Sequence, residues 1–193
     1  MATTNQHKVR EIRALLDGAG VELRTLAEWP AIEAPEETGH TFEENARLKA
    51  LYYGRATGEL VVAEDSGLEV DALGGEPGVE SARYGGVEAD YPRKFALIYK
   101  QLAARPDTPR AARFVCALAL VRGAHVLFET RGTVEGEIAS APRGDGGFGY
   151  DPIFFYPPFG QTLGQLSGVQ KAAISHRGQA FRKLRGFFLS NAP

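Results

Sequence analysis

The stretch LVVAEDSG, which begins at Leu60 and ends at Gly67, says most about the fold of this chain. Its first four residues are apolar and predict a buried strand near the centre of a sheet. The strand is predicted to end at Glu64 and Asp65, and the Ser-Gly pair that follows favours a turn. Because ligands of α/β sheets bind where strands end, these two carboxylates mark a candidate site.

On the amino-terminal side of this stretch the pattern is mainly helical. Asn5 is a good N-cap for a helix that runs to about Asp17, and too few residues precede it for a full first strand. Thr41 and Glu44 form a capping box for a second helix, whose apolar face also carries polar side chains. Between the two helices, residues 21–26 have the pattern of a short strand.

On the carboxyl-terminal side, strands and helices alternate. Residues 68–72 predict another strand, and Asp90 with Pro92 opens a helix. Residues 113–121, 125–131 and 133–138 predict an antiparallel meander, which a loop rich in glycine and proline follows at 142–152. Ser167 and Ser175 are predicted to cap two final helices. The whole pattern predicts a single α/β domain over residues 1–193, with a mixed sheet.

Composition excludes several functional classes. The chain has 193 residues, of which 44% are hydrophobic, enough for the core of one globular domain. Its 22 basic and 24 acidic residues nearly cancel, so we expect neither a nucleic acid nor a membrane as partner. The one cysteine, Cys116, excludes an internal disulfide and fits a reducing compartment. Without an apolar segment of membrane-spanning length, the protein is predicted to be cytoplasmic.

The acidic residues allow two interpretations. Adjacent carboxylates such as Glu64 and Asp65 repel each other unless a cation or hydrogen-bond donors compensate them, although a strand that simply emerges into water needs neither. Glu36 and Glu37, in the loop before the second helix, are either solvated surface or further metal ligands. Mg²⁺ commonly takes one or two protein carboxylates plus phosphate oxygens, so one of these glutamates with Asp65 is a sufficient set.

Cations at helix starts indicate an anion site. Lys8 lies in the first turn of the first helix, and His176 with Arg177 lies in the first turn of the last, where the macrodipole opposes positive charge. A bound phosphate reverses this penalty, whereas the alternative is simply a solvated cation. Two such starts, together with Lys49 and Lys171, favour the anion site.

The loop GGFGYD, residues 146–151, combines backbone freedom with two aromatic rings. Such a loop suits close approach to a planar ligand on which Phe148 or Tyr150 stacks, unless the rings fold into the core instead. The sequence contains no P-loop, dinucleotide fingerprint, paired-histidine zinc motif or serine elbow, so those enzyme classes lose their main support.

Several motifs in a fixed order now cover nearly the whole chain. They are Thr3, Thr4, Asn5 and Lys8; Thr41, Phe42, Glu44, Asn45, Ala46, Lys49 and Ala50; Glu64 to Leu68; Leu73 to Gly75, Pro77 and Gly78; Ser81 to Tyr84; Pro142 to Gly144; Gly147 to Pro152; and Lys171 with Ser175 to Arg177. In these motifs the chain resembles the inosine triphosphate pyrophosphatases, although that family usually has glycine where Thr4 stands. The resemblance implies Mg²⁺-dependent hydrolysis of ITP, dITP and XTP to the nucleoside monophosphate and pyrophosphate, with Mn²⁺ as a substitute metal.

The resemblance also implies an architecture and a set of site residues. It implies a homodimer whose subunits have a long mixed sheet flanked by helices, with the nucleotide in a cleft between two lobes. Asp65 would be the catalytic carboxylate and a metal ligand, with Glu36 or Glu37, and with Glu64, completing the metal environment. The residues implied to hold triphosphate or sugar are Thr3, Thr4, Asn5, Gln6, His7, Lys8, Lys49, Ser66, Lys171 and Arg177. Those implied to contact the base are Phe148, Gly149, Tyr150, Asp151, His176 and Arg177.

Two other functions compete with this interpretation. A Maf-like nucleotide pyrophosphatase performs similar chemistry on pyrimidine or modified triphosphates, but the motif from Ser175 to Arg177 speaks against it. A nucleotide-binding regulator without turnover is the second alternative, and the presence of Glu64 and Asp65 speaks against that one.

Overall fold

The computed structural model describes residues 1–191, and its contacts divide the chain into two compact units. Unit 1 contains residues 1–65 and 116–132 together with the carboxyl-terminal segment from Ser175. Unit 2 contains residues 66–115 and 133–174. Each unit is therefore assembled from segments that are distant in the sequence.

The described residues form five α-helices and one five-stranded sheet. The helices are α1 (Gln6–Leu16), α2 (Phe42–Thr57), α3 (Tyr91–Ala103), α4 (Gly168–Ile174) and α5 (His176–Ser190). The strands are β1 (Leu60–Val70), β2 (Ala111–Arg122), β3 (His125–Ile138), β4 (Phe154–Tyr156) and β5 (Gln161–Thr162). They lie in the sheet in the order of the sequence. The α/β class is confirmed, whereas the predicted mixed sheet is wrong, because the sheet is an antiparallel one.

The predicted helix starts are confirmed. Asn5 Oδ1 accepts hydrogen bonds from the backbone of His7 and Lys8, and Thr41 and Glu44 form the reciprocal capping box. The side chain of Asp90 caps α3, and Ser175 caps α5. Each cap satisfies amide groups that have no partner inside the helix.

The predicted turn at Ser66 and Gly67 is wrong. Strand β1 runs without interruption from Leu60 to Val70, so the two acidic residues lie inside a strand and not at its end. Gly67 is needed for close packing, because a Cβ atom there would collide with the Ser81 hydroxyl and the Gly78 carbonyl. The backbone amide of Leu68 donates to that same hydroxyl.

Two other strand predictions need correction. Residues 21–26 form no strand: residues 21–25 have no regular secondary structure, and Leu26 begins a short 3-10 helix. The Arg24 carbonyl accepts a hydrogen bond from the amino terminus. The two strands predicted at 125–131 and 133–138 are one strand, β3. Gly132 does not form a turn. It lies inside the strand at a point where a Cβ atom would collide with the His176 carbonyl at the start of α5.

Each unit has its own apolar core. In unit 1, α1 and α5 bury Ile12, Leu16, Phe181 and Leu184 against the free thiol of Cys116 and its neighbours in β2. In unit 2, side chains of β1, α3, β2 and β4 and of the segment after β5 form the second core, which includes Leu68, Ile98, Phe114, Phe154 and Leu163. Each buried side chain of this size contributes roughly 1.5 to 3 kcal/mol of transfer free energy. None of the helices within residues 1–191 combines the length and apolar character that crossing a membrane requires.

Candidate active site

Glu64 and Asp65 lie next to each other in β1, and they face different surroundings. Successive side chains of a strand point to opposite sides of the sheet. Asp65 contacts Asn45 and Lys49 of α2, whereas Glu64 contacts Lys8 of α1 and Arg177 of α5. All of these residues belong to unit 1. The acidic pair therefore serves two separate clusters.

The first cluster is organised by one turn of α2. Asn45 and Lys49 are four residues apart, so their side chains lie on the same face of the helix. Asn45 Nδ2 donates to Asp65 Oδ2 at 3.2 Å, and Lys49 Nζ lies 3.2 Å from Asp65 Oδ1. The same ammonium lies 3.2 Å from Glu37 Oε1. The backbone amide of Gly39 donates to Asn45 Oδ1 at 2.8 Å, which ties the acidic loop to the helix.

The electrostatics of this cluster leave negative charge in excess. Burial and the nearby Glu37 raise the pKa of Asp65, although Lys49 opposes the shift. Burial lowers the pKa of Lys49, but Asp65 and Glu37 outweigh burial, so the net pKa is raised and the ammonium stays protonated. Two carboxylates thus share one cation. A carboxylate with a raised pKa is also a stronger base than an ordinary aspartate.

The arrangement fits a divalent cation that substrate phosphates help to hold. Glu37 and Asp65 converge on one ammonium, so both carboxylates reach a common position for a cation. Glu36 is exposed, and Glu64 faces the other cluster. In the part of the chain that the structure describes, no three His, Cys, Asp or Glu side chains surround one possible metal position. Mg²⁺ needs only one or two carboxylates when phosphate oxygens complete its shell.

The second cluster is a buried network around Glu64. Its Oε1 lies 2.8 Å from Lys8 Nζ and 3.2 Å from Arg177 Nη2, and the Cys116 thiol donates to Oε2 at 3.2 Å. Arg177 also pairs with Glu11 at 2.8 Å. Burial raises the pKa of Glu64, but Arg177 and Lys8 together hold it well below its usual range. Glu64 is therefore ionised and compensated by two cations.

Unit 2 brings together a phenylalanine, an aspartate and a lysine. Lys171 Nζ lies 2.6 Å from Asp151 Oδ2 and 4.6 Å from the ring centroid of Phe148. The backbone amide of Phe148 donates to the same Asp151 oxygen at 2.7 Å. Asp151 and Lys171 are buried, while Phe148 is half-buried. Asp151 thus fixes both the loop and the lysine beside the aromatic ring.

Several other predicted site residues have a different environment from the one expected. Tyr150 is buried, and its hydroxyl donates to the Ser81 carbonyl at 2.8 Å, so its ring packs in the core, which is the alternative that the sequence left open. Lys171, His176 and Arg177 are buried, not solvated. Thr4, Asn5, Gln6 and His7 are exposed at the start of α1, whereas Thr3, Lys8, Ser66 and Gly149 are half-buried.

Comparisons with known proteins identify the family of this chain. A model of the Ham1 family matches residues 1–187. The chain belongs to the Ham1 family. It is 47% identical over 184 residues to a dITP/XTP pyrophosphatase of an Exiguobacterium species, a match that covers 95% of this chain and 93% of the relative. It is also 47% identical over 193 residues to a dITP/XTP pyrophosphatase of Thermus thermophilus, covering 100% of this chain and 92% of that one.

Solved structures give the same result. A HAM1 protein from Coxiella burnetii matches with a TM-score of 0.92 and 39% identity, over 98% of this chain and 96% of that one. A dITP/XTP pyrophosphatase from Mycobacterium abscessus matches with a TM-score of 0.77 and 42% identity, over 95% of each chain.

Two site residues of this Ham1-family chain were missing from the sequence-based set. Asn45 is fully buried and links Asp65 to the acidic loop. The available signal was a polar residue on the apolar stripe of α2, which is costly to bury without partners. Glu11 pairs with Arg177, but a glutamate on a surface helix gives no such signal.

Proposed function

We propose that this chain hydrolyses deaminated purine nucleoside triphosphates, namely ITP, dITP and XTP, to the nucleoside monophosphate and pyrophosphate. One observation carries the proposal: Glu37 and Asp65 share the ammonium of Lys49 while buried Asn45 fixes the orientation of the aspartate. This is a site for a phosphate chain and its cation. The relatives named dITP/XTP pyrophosphatase support the same substrate class.

In the mechanism that we propose, Asp65 orients a water molecule for in-line attack on the α-phosphorus and accepts its proton. A new bond joins the water oxygen to phosphorus, and the α-β phosphoanhydride bond breaks to release pyrophosphate. Lys49 neutralises charge that develops on the phosphate oxygens. A divalent cation held by Glu37 and Asp65, Mg²⁺ or Mn²⁺ in its place, supplies further neutralisation when bound.

The remaining predicted contacts follow from the local structure. We propose that Lys8 and the exposed residues before it meet phosphate or sugar, because the start of α1 offers amide groups and positive potential. Phe148 is proposed to stack on the base, since its ring is half-buried and Lys171 Nζ lies over the ring face, 4.6 Å from the centroid. The homodimer and the cytoplasmic location stay predictions.

A substrate panel tests the proposed function. With Mg²⁺ present, kcat/KM for ITP and XTP is expected to exceed that for ATP and GTP at least about tenfold, because one well-placed polar contact discriminates by that factor. The products are separated by anion exchange to distinguish pyrophosphate from orthophosphate. Equal rates on all four nucleotides would contradict the substrate class, and binding without turnover would indicate a regulator. Preference for pyrimidine triphosphates would favour the Maf-like alternative.

Phe148→Ala tests the stacking interaction. We expect KM for ITP to rise about tenfold with little change in melting temperature, because stacking of a base on an aromatic ring contributes roughly 1 to 3 kcal/mol. Phe159→Ala is the matched control, since Phe159 is an exposed ring of unit 2. A large fall in melting temperature with an unchanged KM would assign Phe148 to the core.

A further inference from the structure

Unit 1 contains a partly buried cluster of four charged side chains, Lys8, Glu11, Glu64 and Arg177, which we call the Glu64 cluster. It holds two anions and two cations. The side chains of Glu64 and Arg177 are each 2% exposed, whereas that of Lys8 is 19% exposed. An incoming anion can therefore reach the lysine, while the glutamate is shielded.

Glu64 is the element that connects the two cations. One oxygen, Oε1, lies 2.8 Å from Lys8 Nζ and 3.2 Å from Arg177 Nη2. Lys8 belongs to the first turn of α1 and Arg177 to the first turn of α5. Both positions are unfavourable for a cation because of the helix macrodipole. The one carboxylate of Glu64 thus holds two cations at helix starts where they would otherwise repel each other.

We propose that Glu64 is a positioning residue, which holds Lys8 and Arg177 in place for an anionic substrate, and that it is not a metal ligand. The inference rests on the proposed function, in which Lys8 meets phosphate or sugar, and on the sequence-based prediction that Arg177 also contacts the nucleotide. Glu64 lies on the side of β1 opposite to Asp65, and both of its oxygens already contact Arg177. A metal ion bound to it would add a third positive centre beside two cations.

Stability alone gives little reason for this cluster. Buried ion pairs contribute little net free energy compared with apolar side chains of the same volume, because desolvation offsets their attraction. What the cluster does provide is geometry. It fixes the separation of an ammonium and a guanidinium, and a fixed pair of donors binds an anion without the cost of ordering two long side chains.

Glu64→Gln tests the role, because it keeps the shape of the side chain and removes its charge. We expect KM for ITP to rise about tenfold, kcat to change by less than about threefold, and the Mg²⁺ concentration for half-maximal activity to stay the same. Glu59→Gln is the matched control, since Glu59 is an exposed carboxylate of the same unit that pairs with Arg24, and it should keep KM for ITP within about twofold. A higher Mg²⁺ requirement with unchanged KM would make Glu64 a metal ligand and overturn the proposal.

A double-mutant cycle gives a readout that does not depend on turnover. Binding of inorganic pyrophosphate is measured by calorimetry in EDTA for the wild type, Lys8→Gln, Glu64→Gln and the double variant. We expect Glu64→Gln to weaken binding about tenfold alone but less than about threefold when Lys8 is already replaced, because a positioning effect is non-additive. If Glu64→Gln weakened pyrophosphate binding by the same factor in the wild type and in Lys8→Gln, the result would contradict the proposal. Tighter binding by Glu64→Gln would also contradict it, since net charge alone would then explain the result.

The binding measurements still test the proposal if Glu64→Gln does not fold or if the wild type shows no turnover. If Glu64→Gln does not fold, the double variant restores neutrality of the cluster and is compared with Lys8→Gln alone; a difference of about tenfold in affinity would oppose the proposal. If the wild type turns over no purine triphosphate yet shows the coupled binding of pyrophosphate, the proposed function fails while the positioning role stands.

Discussion

Asp65→Asn is expected to lower kcat for ITP at least about a hundredfold, because a positioned general base contributes roughly 10² to 10⁴ in rate. The amide has the size of the carboxylate, but it can neither accept the proton of the attacking water nor attract a divalent cation. Nucleotide binding is expected to persist in weakened form, since Lys49 and Phe148 remain. The measurement is single-turnover hydrolysis of ITP together with calorimetric titration of the nucleotide.

The folded protein is expected to be no less stable after this substitution. The pKa of Asp65 is raised by burial and by Glu37, so the ionised aspartate is costly in the folded state, and asparagine removes that cost. The cost that is removed is mainly that of burial, and the carboxylate whose repulsion is relieved is Glu37, because Glu64 faces the other cluster. Asp71→Asn is a control, since that carboxylate is partly exposed and pairs with Arg113 in unit 2. Wild-type release of pyrophosphate by Asp65→Asn would remove the aspartate from the mechanism.

Arg177→Met is expected to reduce the free energy of unfolding by about 3 to 5 kcal/mol, the usual cost of removing one partner of a buried ion pair. The sequence predicts that Arg177 faces phosphate or base outside the core, and its substitution would then leave the protein folded. The expected position outside the core is wrong, because Arg177 is 1% exposed and contacts both Glu64 and Glu11, whereas its contact with phosphate or base stays a prediction. Its loss leaves Glu64 buried with Lys8 as the remaining cation of the cluster.

Urea denaturation measures this effect, with Arg182→Met as the matched control. Arg182 is exposed on the same helix, and surface substitutions usually change stability by less than about 0.5 kcal/mol. A loss below about 1 kcal/mol for Arg177→Met would show that the pair with Glu64 is not buried in solution. A large loss of stability means that activity measurements on Arg177 variants report folding as well as binding.

The elements that the sequence predicted well are those whose cause is local. Asn5, Thr41, Asp90 and Ser175 cap helices because each side chain hydrogen-bonds to amides two or three residues ahead. The capping box of Ser167 is equally local. No knowledge of distant contacts was necessary for any of them.

The elements that the sequence predicted wrongly depend on distant partners. Gly67 and Gly132 resemble turn residues, yet both lie inside strands, where a side chain would collide with another segment. Residues 21–26 have the pattern of a strand, but a strand also needs a neighbour that accepts and donates hydrogen bonds along its length. Pattern alone does not reveal whether such a neighbour exists.

The sequence by itself determined the family, the α/β class and the presence of two acidic residues in a central segment, because composition, periodicity and motif order are properties of the chain. Only the tertiary structure decided which residues each acid contacts. Strand alternation places Asp65 with Asn45 and Lys49 and places Glu64 with Lys8 and Arg177. The reason is physical: charge compensation depends on distances between side chains that are up to 166 residues apart, and folding alone sets those distances.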